Sequence, residues 1–321
     1  MKALVTGSGG FIGHHLVKRL KKEGFRVRGA DLKMPEFEPT EADEFLVTDL
    51  RSEANCRKAV DECDWVYHLA ADMGGIGYIE THKAEIVRNN TRIDLGMLEA
   101  ARRAKVKMFF YASSACVYPD YKQNQTDVPP LREEDAYPAM PEPGYGWEKL
   151  YAELMCRYCR EDFGLETRVA RFHNIYGLLG TWEGGREKSP AAICRKVALA
   201  KDGDEIEVWG DGCQTRSYCY VSDCVEGIFC LSRSDYREPL NIGRDDVISI
   251  DAMVDLVAGI AGKKVRIRHD LSKPVGVRGR NADVTKMKKV LGWSPGTTMQ
   301  SGFKVTYDWI AGQLKKAGRI S

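Results

Sequence analysis

Short apolar runs alternate with amphipathic segments along the first half of the chain. Lys2 to Thr6 is a β-rich run, HHLVKRLKKEG has helical periodicity after a glycine-rich turn, and RVRGAD returns to a strand pattern. The alternation continues through EFLVTDL, WVYHLAA, a helix near residues 85 to 104, MFFYASS, a helix over about 145 to 163, and TRVARFHNIYG. This order predicts an α/β protein with a doubly wound parallel sheet, a Rossmann fold, covered by helices on both faces.

The pattern changes after Gly177. The glycine-rich, charged segment LLGTWEGGREKSP precedes a helix near residues 190 to 200, and the later elements are shorter and alternate less regularly. We therefore expect a Rossmann domain over residues 1–177 and a smaller C-terminal α/β substrate-binding domain formed mainly by residues 178–321. Segments near 216–243, including PLNIG at 239–243, are strand-like enough to return to the first domain.

The composition narrows the class of protein. Charged residues make up 29% of the chain and the formal net charge is +2, which argues against binding to nucleic acid or to a membrane surface. No apolar run reaches the length of a membrane span. The ten cysteines are scattered, and Met1 leads directly into a strand pattern, so we expect a reducing, cytoplasmic location. Only Cys156 and Cys159 have CxxC spacing, and no metal site is predicted.

The turn after the first strand reads TGSGGFIG and opens a helix. Gly7 permits the tight turn, Gly10 lets a pyrophosphate approach the backbone, and Gly13 allows the helix to pack closely, with its N-terminus facing the anion. The second strand pattern ends at Asp31, whose carboxylate can accept hydrogen bonds from ribose hydroxyls and would repel the 2′-phosphate of NADP. NAD is therefore the predicted cofactor.

Tyr145 and Lys149 open a predicted helix in the sequence YGWEK. Their i, i+4 spacing puts the phenol and the ammonium on one face. This cation, together with the nicotinamide charge when NAD+ is bound, is expected to lower the pKa of the tyrosine toward neutrality. A YxxxK pattern is common on protein surfaces. Here the YxxxK pattern indicates a catalytic pair because SSACVYP lies upstream of it and a glycine-rich turn follows the first strand.

In these motifs the chain resembles the extended short-chain dehydrogenase/reductase family, the NAD-dependent epimerases and dehydratases. The resemblance implies a catalytic triad of Ser114, Tyr145 and Lys149, in which Tyr145 takes the proton of a sugar hydroxyl while NAD accepts the hydride from the same carbon. It also implies a homodimer formed by the helix near residues 90 to 104 and the Tyr145 helix. The matching motifs are TGSGGFIG, HLAA at 68–71, ASSACVYP, YGWEK, RFHNIYG and LGW at 291–293. Apolar positions available to the dimer contact are Leu95, Leu98, Leu150 and Leu154.

Several separated loops are similar to one branch of this family, which inverts both C3 and C5 of GDP-mannose to form GDP-L-galactose. Inversion at C5 alone would give GDP-L-gulose. The resemblance implies that Cys116 and Lys188 are the acid/base pair above and below a 4-keto sugar. The loops are DMGGIGYI (72–79), SSACVYP, GTWEGGREKSPAAICRK (180–196), WGDGCQTRSY (209–218) and GVRGRN (276–281).

A thiol and an amine suit this chemistry. Oxidation of C4 to a ketone acidifies the hydrogens on C3 and C5, and inversion then needs a base on one face of the ring and an acid on the other. A cysteine thiol, with an ordinary pKa of about 8.5, and a desolvated lysine can each take either role. Which of Cys116 and Lys188 is the base at each carbon, and which carbon inverts first, stay open.

A GDP-sugar would be bound by glycines that allow close backbone approach and by arginines suited to a diphosphate. The predicted substrate-binding residues are Gly74, Gly75, Ser114, Asn174, Lys188, Lys196, Gln214, Arg216, Arg278 and Arg280. The predicted NAD-binding residues are Gly7, Gly10, Phe11, Ile12, Gly13, Asp31, Asp49, Leu50, Ala70, Tyr145 and Lys149.

Three other functions compete with this one. An epimerase/reductase for GDP-4-keto-6-deoxymannose has a similar cysteine motif, but it would carry histidine near the Lys188 position and prefer NADPH, which Asp31 disfavours. A UDP-hexose 4-epimerase would need neither Cys116 nor Lys188. A non-catalytic NAD-binding regulator would typically lose the tyrosine or the lysine, and fold alone never establishes activity.

Overall fold

A computed structural model describes residues 1–320 of the chain. Its strands are β1 (Lys2–Thr6), β2 (Arg26–Asp31), β3 (Glu44–Val47), β4 (Trp65–His68), β5 (Met108–Ser114), β6 (Thr167–Phe172), β7 (Ile175–Tyr176), β8 (Glu205–Trp209), β9 (Thr215–Ser217), β10 (Cys219–Tyr220), β11 (Leu240–Ile242), β12 (Val247–Ser249), β13 (Arg266–Asp270) and β14 (Gly279–Arg280). Its helices are α1 (Phe11–Lys22), α2 (Glu53–Val60), α3 (Ile76–Thr81), α4 (Lys83–Arg103), α5 (Tyr145–Phe163), α6 (Ser189–Leu199), α7 (Val221–Arg233), α8 (Ile250–Ala261), α9 (Thr285–Leu291) and α10 (Met299–Lys316). Short 3₁₀ turns lie at Ala115–Val117, Asp120–Lys122 and Glu133–Ala136.

Seven parallel strands form the large sheet, in the order β11-β6-β5-β4-β1-β2-β3. The chain runs outward from β1 to β3 and then returns to the other side of β1 with β4. Thr6 is in register with His68, so the carboxyl ends of β1 and β4 lie side by side. Ligands of such sheets bind beyond the carboxyl ends where the strand order reverses. The predicted doubly wound parallel sheet is confirmed.

The apolar strands of this sheet are covered on both faces. Successive side chains of a strand point to opposite faces, so Ala3 and Val5 pack in one apolar cluster while Leu4 packs in another. Helix α1 contributes Leu16 to the first cluster and α4 contributes Met97 to the second. The layered core explains why the strands read as continuous apolar runs.

Most predicted elements match the observed bounds, and the differences lie at their ends. The predicted strand MFFYASS and the helix over 145 to 163 coincide with β5 and α5. The first helix begins earlier than HHLVKRLKKEG, at Phe11, because Gly10 adopts the extended N-cap conformation directly after the turn. The strand predicted over EFLVTDL ends at Val47, since Asp49 instead accepts hydrogen bonds from the backbone and side chain of Arg51.

The residues after Gly177 form small sheets around packed helices. Helices α6, α8 and α10 pack against one another. Strand β8 pairs with β13, and β9 lies between β12 and β14. Strand β11 instead joins the large sheet beside β6, with Leu240 in register with Ala170. The smaller C-terminal part is therefore a set of mixed sheets. The chain of this part is connected to the Rossmann sheet through β11, which pairs with β6.

Within residues 1–320, no helix is both long enough and apolar enough to cross a membrane. In the same range, no cluster of His, Cys, Asp and Glu side chains is arranged to hold a metal ion. All ten cysteines are free thiols, and Cys156 and Cys159 are buried in α5.

Candidate active site

The turn after β1 brings backbone groups close together at the carboxyl edge of the sheet. Gly7 has a φ of +71°, and a Cβ there would lie 2.9 Å from Ala70 N. A Cβ on Gly13 would lie 2.2 Å from Gly7 O. Only glycine therefore lets the start of α1 pack onto this loop. We call residues 7–13 the dinucleotide turn.

The dinucleotide turn has the features that an anionic dinucleotide requires. Helix α1 begins after Gly10 with no side-chain cap and no acidic residue in its first turn. The first backbone N–H groups, including those of Phe11 and Ile12, are therefore available to a pyrophosphate. Ser8 Oγ is buried and lacks a hydrogen-bonding partner among residues 1–320. These residues fit the phosphates of NAD.

Carboxylates lie near the ends of β2 and β3, where the adenosine of a dinucleotide is expected. Asp31 Oδ2 accepts a hydrogen bond from Gly9 N at 3.0 Å, which fixes the carboxylate beside the turn. Asp49 accepts a hydrogen bond from Arg51 Nη2 at 2.7 Å, and this contact holds the pKa of Asp49 below its ordinary value. Leu50 is buried. Asp31 thus fits an NAD ribose, whereas contact from Asp49 or Leu50 stays a prediction.

Tyr145 and Lys149 lie together on the buried side of α5. Lys149 Nζ is 5.6 Å from the centroid of the Tyr145 ring. Burial raises the pKa of Tyr145, and this effect outweighs the lowering caused by Lys149. The expected shift toward neutrality is therefore absent in the protein alone, because desolvation of the phenolate exceeds the attraction of one cation.

Lys149 is held by buried polar side chains. It donates a hydrogen bond to Tyr111 Oη at 3.0 Å and lies 3.8 Å from Asp94 Oδ2. Asp94 also accepts a hydrogen bond from Tyr111 at 2.8 Å and lies 2.9 Å from His68 Nε2. Burial disfavours the ammonium, but Asp94 and Glu148 outweigh it and raise the pKa of Lys149. This lysine network, Lys149 with Asp94, Tyr111 and His68, keeps Lys149 charged.

The partners of Lys149 carry no recognisable sequence motif. Asp94 lies on the buried side of α4, as do Asn90, Ile86 and Leu98. A spacing of four residues keeps these side chains on one helix face. Asn90 and Asp94 therefore interrupt an apolar stripe of α4, and this interruption was the signal in the sequence for a buried polar site.

Glu148 adds a second carboxyl group beside Lys149. Its Oε1 accepts a hydrogen bond from Asn90 Nδ2 at 2.8 Å and lies 3.9 Å from Lys149 Nζ. Its Oε2 is buried with no partner within residues 1–320. Burial raises the pKa of Glu148 to about 8, Lys149 opposes this, and Asp94 adds to it. Glu148 therefore holds its proton more tightly than an ordinary glutamate.

Cys116 lies in a tight turn just beyond β5. Ser114 Oγ accepts a hydrogen bond from Cys116 N at 3.2 Å, which caps the 3₁₀ turn Ala115–Val117. A Cβ on Gly146 would lie 2.2 Å from Cys116 O. The turn therefore packs directly on the first turn of α5, next to Tyr145, and three of the predicted catalytic side chains are brought together.

Lys188 comes from the C-terminal part of the chain and lies within electrostatic range of Cys116, which packs with Tyr145. We call the space between Lys188, Cys116 and Tyr145 the cleft. Lys188 is the N-cap residue of α6, and its side chain is in contact with solvent. The solvent that it contacts lies in the cleft, which the protein surrounds. Desolvation by these surroundings lowers the pKa of Lys188, whereas a negative charge on Cys116 would raise it. Burial raises the pKa of Cys116 to about 11. We call Cys116 and Lys188 the inversion pair.

Gly74 and Gly75 lie in the loop before α3, which packs on the segment leading to Lys188. Gly75 N donates a hydrogen bond to Arg186 O at 3.1 Å, and a Cβ on Gly75 would lie 2.6 Å from Glu187 O. Gly75 thus permits contact between two loops of the protein. A contact of either glycine with a hexose stays a prediction.

The cations predicted to meet the diphosphate differ in their surroundings. Arg278 is paired with Asp211, with both Nη–Oδ distances at 2.9 Å. Lys196 Nζ donates a hydrogen bond to a main-chain carbonyl of β8 at 2.7 Å. Burial and the positive charge of Arg280 lower the pKa of Arg216 to about 10. Arg280 is paired with Glu142, whereas Arg216 has no carboxylate partner within residues 1–320, so Arg216 forms a positive centre that favours an anionic ligand.

Asn174 and Gln214 direct their amide groups toward the main chain. Asn174 Nδ2 donates a hydrogen bond to Ser217 O at 2.8 Å, and Gln214 Nε2 donates one to Trp209 O at 2.9 Å. Gln214 Oε1 is buried without a partner in the described part of the chain. The Gln214 carbonyl is therefore available to a ligand, and substrate contacts of both residues stay predictions.

The match to a family model defines the class of protein. The model for the NAD dependent epimerase/dehydratase family matches residues 3–243. The chain belongs to this family, as the sequence motifs predict. Over 318 residues it is 48% identical to the GDP-mannose 3,5-epimerase of Arabidopsis thaliana, with 98% of this chain and 84% of that protein covered. It is 31% identical to a dTDP-4-dehydro-6-deoxy-D-allose reductase of a Streptomyces species, with 95% of each chain covered.

Solved structures of epimerases share the fold. The UDP-glucose 4-epimerase of Thermotoga maritima, determined with UDP-glucose, has a TM-score of 0.88 and 26% identity, covering 98% of this chain and 100% of that one. The UDP-glucuronic acid 4-epimerase of Bacillus cereus, in complex with UDP-glucuronic acid and NAD, has a TM-score of 0.84 and 25% identity, with the same coverage. The predicted enzyme class, an NAD-dependent nucleotide-sugar epimerase and hence an isomerase, is confirmed.

Proposed function

We propose that this chain converts GDP-mannose into GDP-L-galactose by inverting C3 and C5, with GDP-L-gulose as the product of inversion at C5 alone. The observation that carries the proposal is the 48% identity to the Arabidopsis GDP-mannose 3,5-epimerase over nearly the whole chain. The arrangement of Cys116 and Lys188 in one cleft with Tyr145 supports it, because a 4-epimerase needs no such pair.

The oxidation step depends on groups that are fixed on the Rossmann sheet. NAD, when bound, supplies reversible two-electron oxidation at C4 of the sugar and a positive charge near Tyr145. We infer that the dinucleotide turn and Asp31 hold it. Tyr145 takes the proton of the C4 hydroxyl and later returns it, and Lys149 stabilises the phenolate, since the lysine network keeps its ammonium charged. We propose that Ser114, which caps the turn that packs on the first turn of α5, orients the same hydroxyl.

The inversion pair moves the protons at C3 and C5. Once C4 is a ketone, loss of a neighbouring hydrogen gives an enolate, and return of a proton on the opposite face completes the inversion. Burial raises the pKa of Cys116 and desolvation lowers that of Lys188, so the surroundings favour a neutral thiol and a neutral amine. A neutral thiol can donate a proton and a neutral amine can accept one, which suits an acid/base pair.

A diphosphate would be attracted by the positive centre beside the pair. Arg280 lies close enough to Arg216 to lower its pKa, and Glu142 is the carboxylate in contact with Arg280. An anion would relieve the repulsion between the two arginines. We therefore assign the diphosphate to this part of the cleft, with Lys196 and Arg278 as further predicted contacts.

We also propose that two copies of the chain associate through α4 and α5. Leu98 and Leu150, which the sequence pattern offers for this contact, are buried within the chain and serve its core. Trp147, Tyr151 and Tyr158 are instead exposed along one side of α5. Aromatic side chains in a row favour burial against a partner. Light scattering should give the mass of a dimer for the wild type and of a monomer for Tyr151→Glu.

Product analysis tests the proposed activity. The purified protein is incubated with GDP-mannose, and the sugar is identified by NMR. A galactose-configured product, with or without the gulose-configured one, supports the proposal. No reaction with GDP-mannose, but turnover of GDP-4-keto-6-deoxymannose with NADPH or inversion of a UDP-hexose at C4 alone, would overturn it. Cys213→Ala, which changes an exposed thiol, is the matched control for Cys116→Ala.

A further inference from the structure

The sulfur of Cys116 lies against a buried ion pair to which the reaction above assigns no step. Glu142 N donates a hydrogen bond to Cys116 O at 3.0 Å, which ties the two residues together through the main chain. The Glu142 carboxylate also lies near enough to the thiol to raise the pKa of Cys116. Its side chain is 15% exposed. Glu142 precedes α5 by only a short segment, so it is fixed near Tyr145 as well.

Arg280 completes this arrangement. Its Nη1 lies 3.8 Å from Cys116 Sγ, its Nη2 is paired with Glu142 Oε1, and its Nε donates a hydrogen bond to Gln123 Oε1 at 2.6 Å. The guanidinium is therefore engaged by the protein through all three nitrogens. We call Cys116, Glu142 and Arg280 the thiol cluster.

The two charged members of the thiol cluster act on the sulfur in opposite directions. A cation beside a cysteine stabilises the thiolate, and a carboxylate beside it stabilises the thiol. Because Glu142 is paired with Arg280, it both adds a negative charge and neutralises the nearest positive one. Burial, the largest effect, raises the pKa of Cys116, Glu142 raises it further, and Arg280 lowers it.

We propose that Glu142 is a positioning residue that holds Cys116 as a neutral thiol between turnovers, by neutralising Arg280, the cation in contact with the sulfur. This inference deepens the proposed function, in which Cys116 exchanges a proton with the sugar. If Cys116 is held as a thiol before the substrate binds, the inversion pair meets the 4-keto sugar with the proton on Cys116. It also suppresses reaction of the cysteine with electrophiles while the cleft is empty of substrate.

The other groups around the thiol cluster are mainly cationic, which fixes the sign of the expected effect. Removal of the Glu142 charge would leave the sulfur with positive neighbours, so the thiolate should become more stable. Asp120 lies near Glu142 and Arg280, and its pKa is raised by burial and by Glu142. The remaining charged or titratable groups that interact with the sulfur are Lys188, Arg216 and Tyr145.

Alkylation of Cys116 as a function of pH tests the proposal. Iodoacetamide is added to the full-length wild type and to Glu142→Gln, without substrate, and modification of each cysteine is measured by peptide mass spectrometry. In Glu142→Gln the midpoint for Cys116 should fall by at least one pH unit, so that its rate near pH 8 rises about tenfold. Arg280→Met should move the midpoint in the opposite direction.

Other cysteines supply the controls within each sample. Exposed Cys213 should react equally in all variants, and fully buried Cys56 and Cys224 should stay unmodified while the fold is intact. Unchanged Cys116 profiles in Glu142→Gln, a shift toward higher pH, or an equal shift in Asp120→Asn would overturn the proposal. The assay needs no turnover. Its failure would leave the GDP-mannose assignment intact, and failure of that assignment would leave the alkylation result intact.

Discussion

The lysine network and the inversion pair face one cleft but hold charge in different ways. Lys149 is buried, donates to Tyr111 and has Asp94 within 3.8 Å. Lys188 is exposed to the cleft and has no ion-pair partner within residues 1–320. Lys149 lies within α5 and Lys188 is the N-cap residue of α6. Nearby carboxylates raise the pKa of the first lysine, whereas desolvation lowers the pKa of the second.

This difference follows from what each lysine does in the proposed reaction. Lys149 must stay charged through every step, so its ammonium is compensated by carboxylates and locked by hydrogen bonds. Lys188 must gain and lose a proton, so a fixed counter-ion would oppose its function. The comparison shows that the partners of a lysine, more than its residue type, separate an electrostatic role from an acid/base role.

The largest effect is expected at the oxidation step. Tyr145→Phe removes the group that takes the hydroxyl proton, so turnover should fall by about 10²–10⁴-fold, as is usual for loss of a general base. All inversion depends on this oxidation, so exchange at C3 and C5 should fall equally. Steady-state turnover and deuterium exchange are measured side by side. Retained exchange in Tyr145→Phe would contradict this account.

Substitution of the inversion pair should separate inversion from oxidation. In Cys116→Ala and Lys188→Ala, inversion should fall by about 10²–10⁴-fold, because each lacks one member of the acid/base pair. Oxidation at C4 should persist, since the lysine network is unchanged. Absorbance of the reduced nicotinamide after addition of GDP-mannose measures it. If the absorbance of the reduced nicotinamide and the rate of inversion fell equally, the inversion pair could not be separated from the lysine network, and this account would be wrong.

The lysine network should also contribute to stability. Asp94→Asn leaves the buried ammonium of Lys149 without its nearest carboxylate, and loss of one partner of a buried pair typically costs about 3–5 kcal/mol. Denaturant unfolding measures the change. Asp308→Asn is the matched control, because it breaks an exposed pair with Lys304 and should cost at most about 1 kcal/mol. Similar losses in the two variants would be inconsistent with a network that holds Lys149.

A smaller effect is expected in the pH dependence of stability. Burial raises the pKa of Glu148 to about 8 in the folded chain, above its ordinary value of 4.5. Between these values the folded chain binds more protons than the unfolded chain, so the free energy of unfolding should fall as pH rises from about 5 to 8. Glu148→Gln should reduce this fall by an amount on the order of 1–3 kcal/mol. Parallel curves for the two proteins would show that Glu148 ionises normally.

The fold and the reacting groups follow from local sequence patterns. Apolar alternation predicts the β5 and α5 bounds, and the glycines of the dinucleotide turn have the close contacts that their spacing implies. Glu142 acts through tertiary contacts with distant segments of the chain, which no local pattern encodes. Asp94 is marked in the sequence only as a polar residue within the apolar stripe of α4. The pKa of Tyr145 is raised in the protein alone because burial, which depends on the assembled core, outweighs the lowering by Lys149. The lowering expected when NAD is bound stays a prediction.

Deuterium labelling tests the central claim most directly, that the inversion pair exchanges protons at the two carbons beside C4. The wild type is incubated with GDP-mannose in D₂O, and the recovered sugars are analysed by NMR and mass spectrometry. The account predicts a galactose-configured product with deuterium at both C3 and C5, and no labelling in Cys116→Ala or Lys188→Ala. Labelling that persists in both variants, or a product inverted at C4 without deuterium at either carbon, would contradict it.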